Sequence, residues 1–229
     1  MNDNDKETKE LFARLVKKGT LKQKVYDHTF QALGMLKSTM KDLTAKYASL
    51  KDKQTRKVPF SYTDRGEFEA ELKFAGDILI FMMHTNVFEF SRYHEVMKTP
   101  YVREDKDRSY CGIIHMYNFL ADSFKYSRVN DVGYLVGRIF INKDFHYFIE
   151  GKREIGFLYN SFGDSVFTKE AAFEIIESAI TYTINFDLLT PPYDNVKEVT
   201  LHEFQSALNT MQIKTGKRLG FRFQADTES

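Results

Sequence analysis

Apolar and polar positions are most regularly ordered between Tyr134 and Tyr159. Three apolar runs, 134–141, 145–149 and 155–159, are separated by Asn142-Lys143-Asp144 and by Gly151-Lys152-Arg153. Runs of this length, rich in Ile, Val, Phe and Tyr and bounded by Asn, Asp and Gly, predict strands joined by tight turns. With three residues in each turn, odd positions align with odd ones across both hairpins, and a slip of one would exchange the faces. One face then carries Leu135, Gly137, Ile139, Ile141, Phe145, Tyr147, Ile149, Ile155, Phe157 and Tyr159, without a charge. It is the expected core face.

The other face is mixed: Tyr134, Val136, Arg138, Phe140, His146, Phe148, Glu150, Glu154 and Leu158. Glu150 lies opposite Glu154 in this register, an unfavourable like-charge pair that Arg138, Lys152 or Arg153 can neutralise. The face reads either as a solvated sheet surface with ordinary ion pairs or as a ligand surface built from Arg138, His146, Phe148 and Glu150.

The N-terminal pattern is helical. Leu11, Phe12, Leu15 and Val16 form a stripe that Gly19 is expected to close. From Leu21 a longer helix is expected to about Leu50, because Thr29, Leu33, Leu36, Met40, Leu43, Tyr47 and Leu50 recur at alternating steps of four and three. This seam suits a helix lying on its own domain or a short coiled coil. A charged stretch, Lys51 to Lys57, is expected to divide a helical segment, 1–57, from a sheet domain, 58–229.

Beyond it, 67–74 and 78–90 read as strands turning at Gly76-Asp77, and 91–108 as a long polar loop. Tyr110, Ile113, Ile114, Tyr117, Leu120, Ala121 and Phe124 recur at helical spacing, predicting an amphipathic helix over 109–126. Thr168 is placed to cap a helix over 169–188, and Thr200 with Glu203 forms a capping box for another over 201–214. A last strand is expected at 217–224. The fold class is therefore α+β: a long N-terminal helix or helical hairpin, then a mainly antiparallel sheet with packed helices.

Composition narrows the picture. The chain of 229 residues is 42% hydrophobic and 15% aromatic, enough for a core and unlike a disordered chain. A single cysteine, Cys111, excludes an internal disulfide and suits a reducing compartment. The polar start MNDNDKETKELF lacks a signal-peptide pattern, and no run has the ~18 apolar residues of a membrane span. A cytoplasmic protein without membrane attachment is expected. Residues 1–60 hold 14 Lys and Arg against 7 Asp and Glu, so charge is uneven although the net value is +1.

Catalytic signatures are missing from the sequence. There is no GxxxxGK[ST], GxGxxG, HExxH or GxSxG. The histidines are scattered, Cys111 lies beside the apolar stripe of its expected helix, and no cofactor or metal is expected. The basic residues Lys51, Lys53, Arg56, Lys57, Lys152, Arg153, Lys217, Arg218 and Arg222, with Phe60, Tyr62, Phe221 and Phe223 nearby, could form a nucleic-acid patch. Two readings follow. The first is a non-enzymatic protein-interaction or self-assembly module, homo-oligomeric through its N-terminal helices. The alternative is a nucleic-acid-binding protein using the basic segment and the C-terminal strand.

Overall fold

The structure is a computed structural model and describes residues 3–50, 57–151, 161–190, 192–210 and 216–217. A single helix, α1 (Asp3–Ser49), precedes the strands β1 (Phe60–Asp64), β2 (Glu69–Phe74), β3 (Asp77–Met83) and β4 (Phe88–Glu89). A short helix α2 (Pro100–Glu104) flanked by 3-10 turns leads into β5 (Tyr110–Leu120), α3 (Ala121–Lys125), β6 (Tyr134–Asn142) and β7 (Tyr147–Gly151). Then come α4 (Lys169–Ile184), β8 (Leu188–Leu189), α5 (Tyr193–Val196), α6 (Leu201–Thr210) and β9 (Gly216–Lys217). The fold is α+β. Seven strands form one antiparallel sheet in the order β1-β2-β3-β5-β6-β7, with β4 pairing the start of β5.

The faces of β6 and β7 are shared as expected, odd positions with odd, but the register is offset by two residues from that of a three-residue turn: Ile139 pairs with Ile149 and Ile141 with Tyr147. These four side chains point into the main core, together with Leu79, Phe81 and Met83 of β3. The turn is wider than three residues. Asn142 caps it, its Oδ1 accepting from the amides of Asp144 and His146 at 2.9 and 3.1 Å. The alternation fails at one end. Met116 faces Gly137 but Tyr117 faces Leu135, so Val136 is the extra residue of a bulge. Val136 consequently turns inward and Leu135, expected in the core, is exposed. The third run, 155–159, and Glu154 lie outside the described residues.

The expected helix at 109–126 is a correction. Residues 110–120 are the long strand β5, between β3 and β6, and only 121–125 are helical. Ile114 and Met116 enter the main core, while Cys111 and Ile113 enter a second cluster on the opposite face. A strand buried on both sides is apolar nearly throughout, so a helical period fits it by coincidence. Its Tyr, Ile and Phe content favours the strand.

Two further expectations change. Gly19 does not end a helix: α1 runs through it, and no hairpin forms. A glycine inside a helix costs only ~1 kcal/mol, which the good helix formers on both sides offset. The stretch 91–108 is not an unstructured loop. His94, Thr99 and Asp105 cap successive short helical turns, with Pro100 in the first turn of α2. These turns place Val96 and Val102 on Cys111, Ile113, Phe140, Phe148 and Phe162.

Helices cover the main-core face. Ala32, Leu33, Leu36 and Met40 of α1 share the core with Ala171, Ala172, Ile175, Ile176 and Ala179 of α4. The seam of fours and threes in α1 thus lies on the protein's own sheet. At Gly112 of β5 the helix comes so close that an added Cβ would lie 2.0 Å from Thr29 Oγ1. Thr168 caps α4 through the Ala171 amide. The capping box of α6 forms, with Glu203 N donating to Thr200 Oγ1 and Thr200 N to Glu203. Of the strand expected at 217–224 only Lys217 is described, paired with Leu188.

Candidate functional site

The four residues of the expected ligand face are divided between two environments. Arg138 and Glu150 sit directly opposite on β6 and β7 and form an ion pair, both side chains well exposed. The guanidinium also lies 5.4 Å from the Phe140 ring centre. Phe148 is buried, stacked 4.8 Å from Phe140. His146 stacks 5.0 Å from Tyr101, and its Nδ1 lies 3.1 Å from the Phe162 carbonyl. Residues 90–109 therefore cover Phe148 and His146, while Arg138 and Glu150 remain on the open part.

His115, on the strand beside β6, completes a row that the sequence reading missed by treating β5 as a helix. Glu69, Met82, His115, Arg138 and Glu150 are successive register partners across five strands. The His115 Nδ1 is buried without a hydrogen-bond partner. Burial, then Arg138 and His84, hold the imidazole pKa below its ordinary 6.5. The row thus combines an ion pair with an imidazole whose Nδ1 makes no hydrogen bond among the described residues.

Next to it, Asn142 organises a closed polar cluster. Its Nδ2 donates to Tyr101 Oη at 3.0 Å, and that hydroxyl donates to Asp144 at 3.2 Å. Arg108 bridges Asp144 and Glu104 and lies 4.3 Å from the Tyr101 ring centre. Burial, opposed by the Asn142 hydrogen bond, pushes the Tyr101 hydroxyl up to about 12. These groups satisfy one another and fasten the 90–109 segment to the β6–β7 turn.

Cys111 is fully buried, which pushes its thiol pKa up. On a strand it lies about 13 Å from His115 along the chain, so the helical i, i+4 pairing does not exist. Of the basic residues expected to form a nucleic-acid patch, Lys51, Lys53, Arg56, Lys152, Arg153, Arg218 and Arg222 lie outside the described residues. Lys57 is exposed. Phe60 and Tyr62 pack against the main core, Phe60 at 5.4 Å from Tyr47. Among the described residues no three His, Cys, Asp or Glu side chains converge as a metal site, and no helix is long and apolar enough to cross a membrane.

An exposed apolar stripe lies at the start of α1. Residues 5–20 are exposed without interruption. Leu11, Phe12, Leu15 and Val16 are 60%, 59%, 66% and 62% exposed, whereas Val25, the first buried residue of the helix, is at 0%. The arm leaves the body at a defined contact. The Lys18 ammonium lies 3.6 Å from the Tyr110 ring centre and donates to its hydroxyl, which in turn donates to Glu89. The stripe itself was legible in the sequence; that it stays uncovered was not. Compared with known proteins, the chain matches no family model, no curated protein and no solved structure.

Proposed function

We propose that this protein is a non-enzymatic protein-interaction module, with the projecting N-terminal arm as its docking element and the sheet body as its mount. The observation that carries this reading is the exposure of Leu11, Phe12, Leu15 and Val16 on one helical arm. Apolar side chains at i, i+3 and i+4 are the anchors by which a helix enters a groove or pairs with another helix. A free helix of this length is only marginally stable in water, so a covering partner both buries the stripe and fixes the helix.

The test is a photoreactive amino acid placed at Phe12 in the full chain within the producing cell, with Glu10, on the polar side, as the control position. Covalent adducts of higher mass are expected from position 12, are expected to be few from position 10, and should disappear when Leu15→Asp is added. Position 12 giving no adduct of any mass would overturn the reading.

A further inference from the structure

We infer that the arm's occupant is the arm of a second copy, laid antiparallel across a two-fold axis between Ala13 and Arg14. This inference rests on the arm being a docking element. It adds the identity and the direction of the partner.

Charge decides both. In residues 5–10 the carboxylates Asp5, Glu7 and Glu10 outnumber Lys6 and Lys9. After Ala13 come Arg14, Lys17, Lys18, Lys22 and Lys24, and no carboxylate until Asp27. Two copies in parallel would set these five cations against the same five. Like charges at helix-neighbour distance are unfavourable, and partner orientation in helix pairs is commonly set this way. Turned antiparallel, the pair places Asp5 level with Lys22, with Lys9 against Lys18 the one like-charged level, and the helix dipoles oppose.

The apolar pattern has the same symmetry. About that axis Leu11 is level with Val16 and Phe12 with Leu15, so the stripe is complementary to itself, as an isologous interface requires. Thr8 is level with Gly19, where a Cβ would meet nothing within 4 Å, leaving room for the partner's backbone. Eight large apolar side chains from two arms bury on the order of 1,000 Å², the lower limit for a specific interface. A dimer forming at micromolar rather than nanomolar concentration is the consequence.

The experiment is light scattering on the full chain across a concentration series, joined to cysteine cross-linking. The expected mass rises from 26.8 kDa toward twice that value. Leu15→Asp should return it to the monomer without shifting the melting temperature of the body, because Leu15 is 66% exposed on the arm. A mixture of Thr8→Cys and Gly19→Cys chains should form a disulfide-linked dimer under mild oxidation, while Thr8→Cys alone should not. The native Cys111 is buried and does not compete. A monomer at every concentration overturns the inference; if arm adducts with other proteins are found in the cell as well, the docking reading survives it. Cross-linking of Thr8→Cys to itself in place of the mixed pair overturns the antiparallel direction.

Discussion

At the β6–β7 turn the Asn142 side chain accepts from two amides and donates to Tyr101, while its main-chain carbonyl lies 3.2 Å from His28 Nδ1 of α1. Asn142→Ala leaves those two amides without that partner and removes one of the hydrogen bonds of the Tyr101 hydroxyl, which keeps Asp144. A loss of ~3 kcal/mol is expected from a cluster of that kind, measurable as a fall in the urea midpoint. Gly112→Ala acts by sterics. The added methyl would occupy the space of Thr29 Oγ1, so ~2 kcal/mol or more is lost to overpacking. Combining it with Thr29→Ala should recover part of that loss. His115 supplies a pH dependence. Its folded pKa is depressed below 6.5 by burial first and then by Arg138 and His84. Between the folded and the unfolded value the unfolded chain binds the extra proton, so this contribution to stability is fully present above pH ~6.5 and is lost as pH falls below it. Urea midpoints of His115→Gln should fall less between pH 7.5 and 5.5 than those of the unmodified protein.

Elements were legible in the sequence to the extent that one period alone explains them. The inward face of β6 and β7 followed from parity, because Ile139, Ile141, Tyr147 and Ile149 share a face free of charge, while the register itself shifted by two residues with the wider turn. The caps Thr168 and Thr200 were found because capping needs specific side chains at fixed offsets. Strand β5 was misread because a strand buried on both faces shows no alternation, and the bulge at Val136 was hidden because it depends on the neighbouring strand. In the candidate site, only the shared face of Arg138 and Glu150 was implied beforehand; their direct pairing follows from the wider turn, and His115 came into view only with β5. Within the arm, the continuity of α1 depends on one weak position. Gly19 lies at the base of the arm with open space around it, so Gly19→Ala should stabilise the helix there by ~1 kcal/mol. Slower amide hydrogen exchange over residues 15–23 is the measurement that checks it.

In the whole molecule, the helix and the sheet are one folding unit along much of α1. Leu33, Leu36 and Met40 are buried against the sheet, and Lys37 and Asp42 reach Asp64 and Lys169 at 2.8 and 2.9 Å. A chain beginning at residue 58 loses this wall of the core, and each missing large apolar side chain costs ~2–5 kcal/mol. It is expected to show no cooperative thermal transition by circular dichroism, whereas a chain beginning at residue 18 should keep one. The seam of fours and threes could not reveal this beforehand, since a helix bedded on a sheet and a helix paired with another need the same spacing. The anchor formed by Lys18, Tyr110 and Glu89 gives the arm a mechanical meaning. Once a partner covers and fixes the arm, the helix clamped at that point and seated on Gly112 beyond it is a lever, so a pull on its tip is delivered as torque to the middle strand of the sheet.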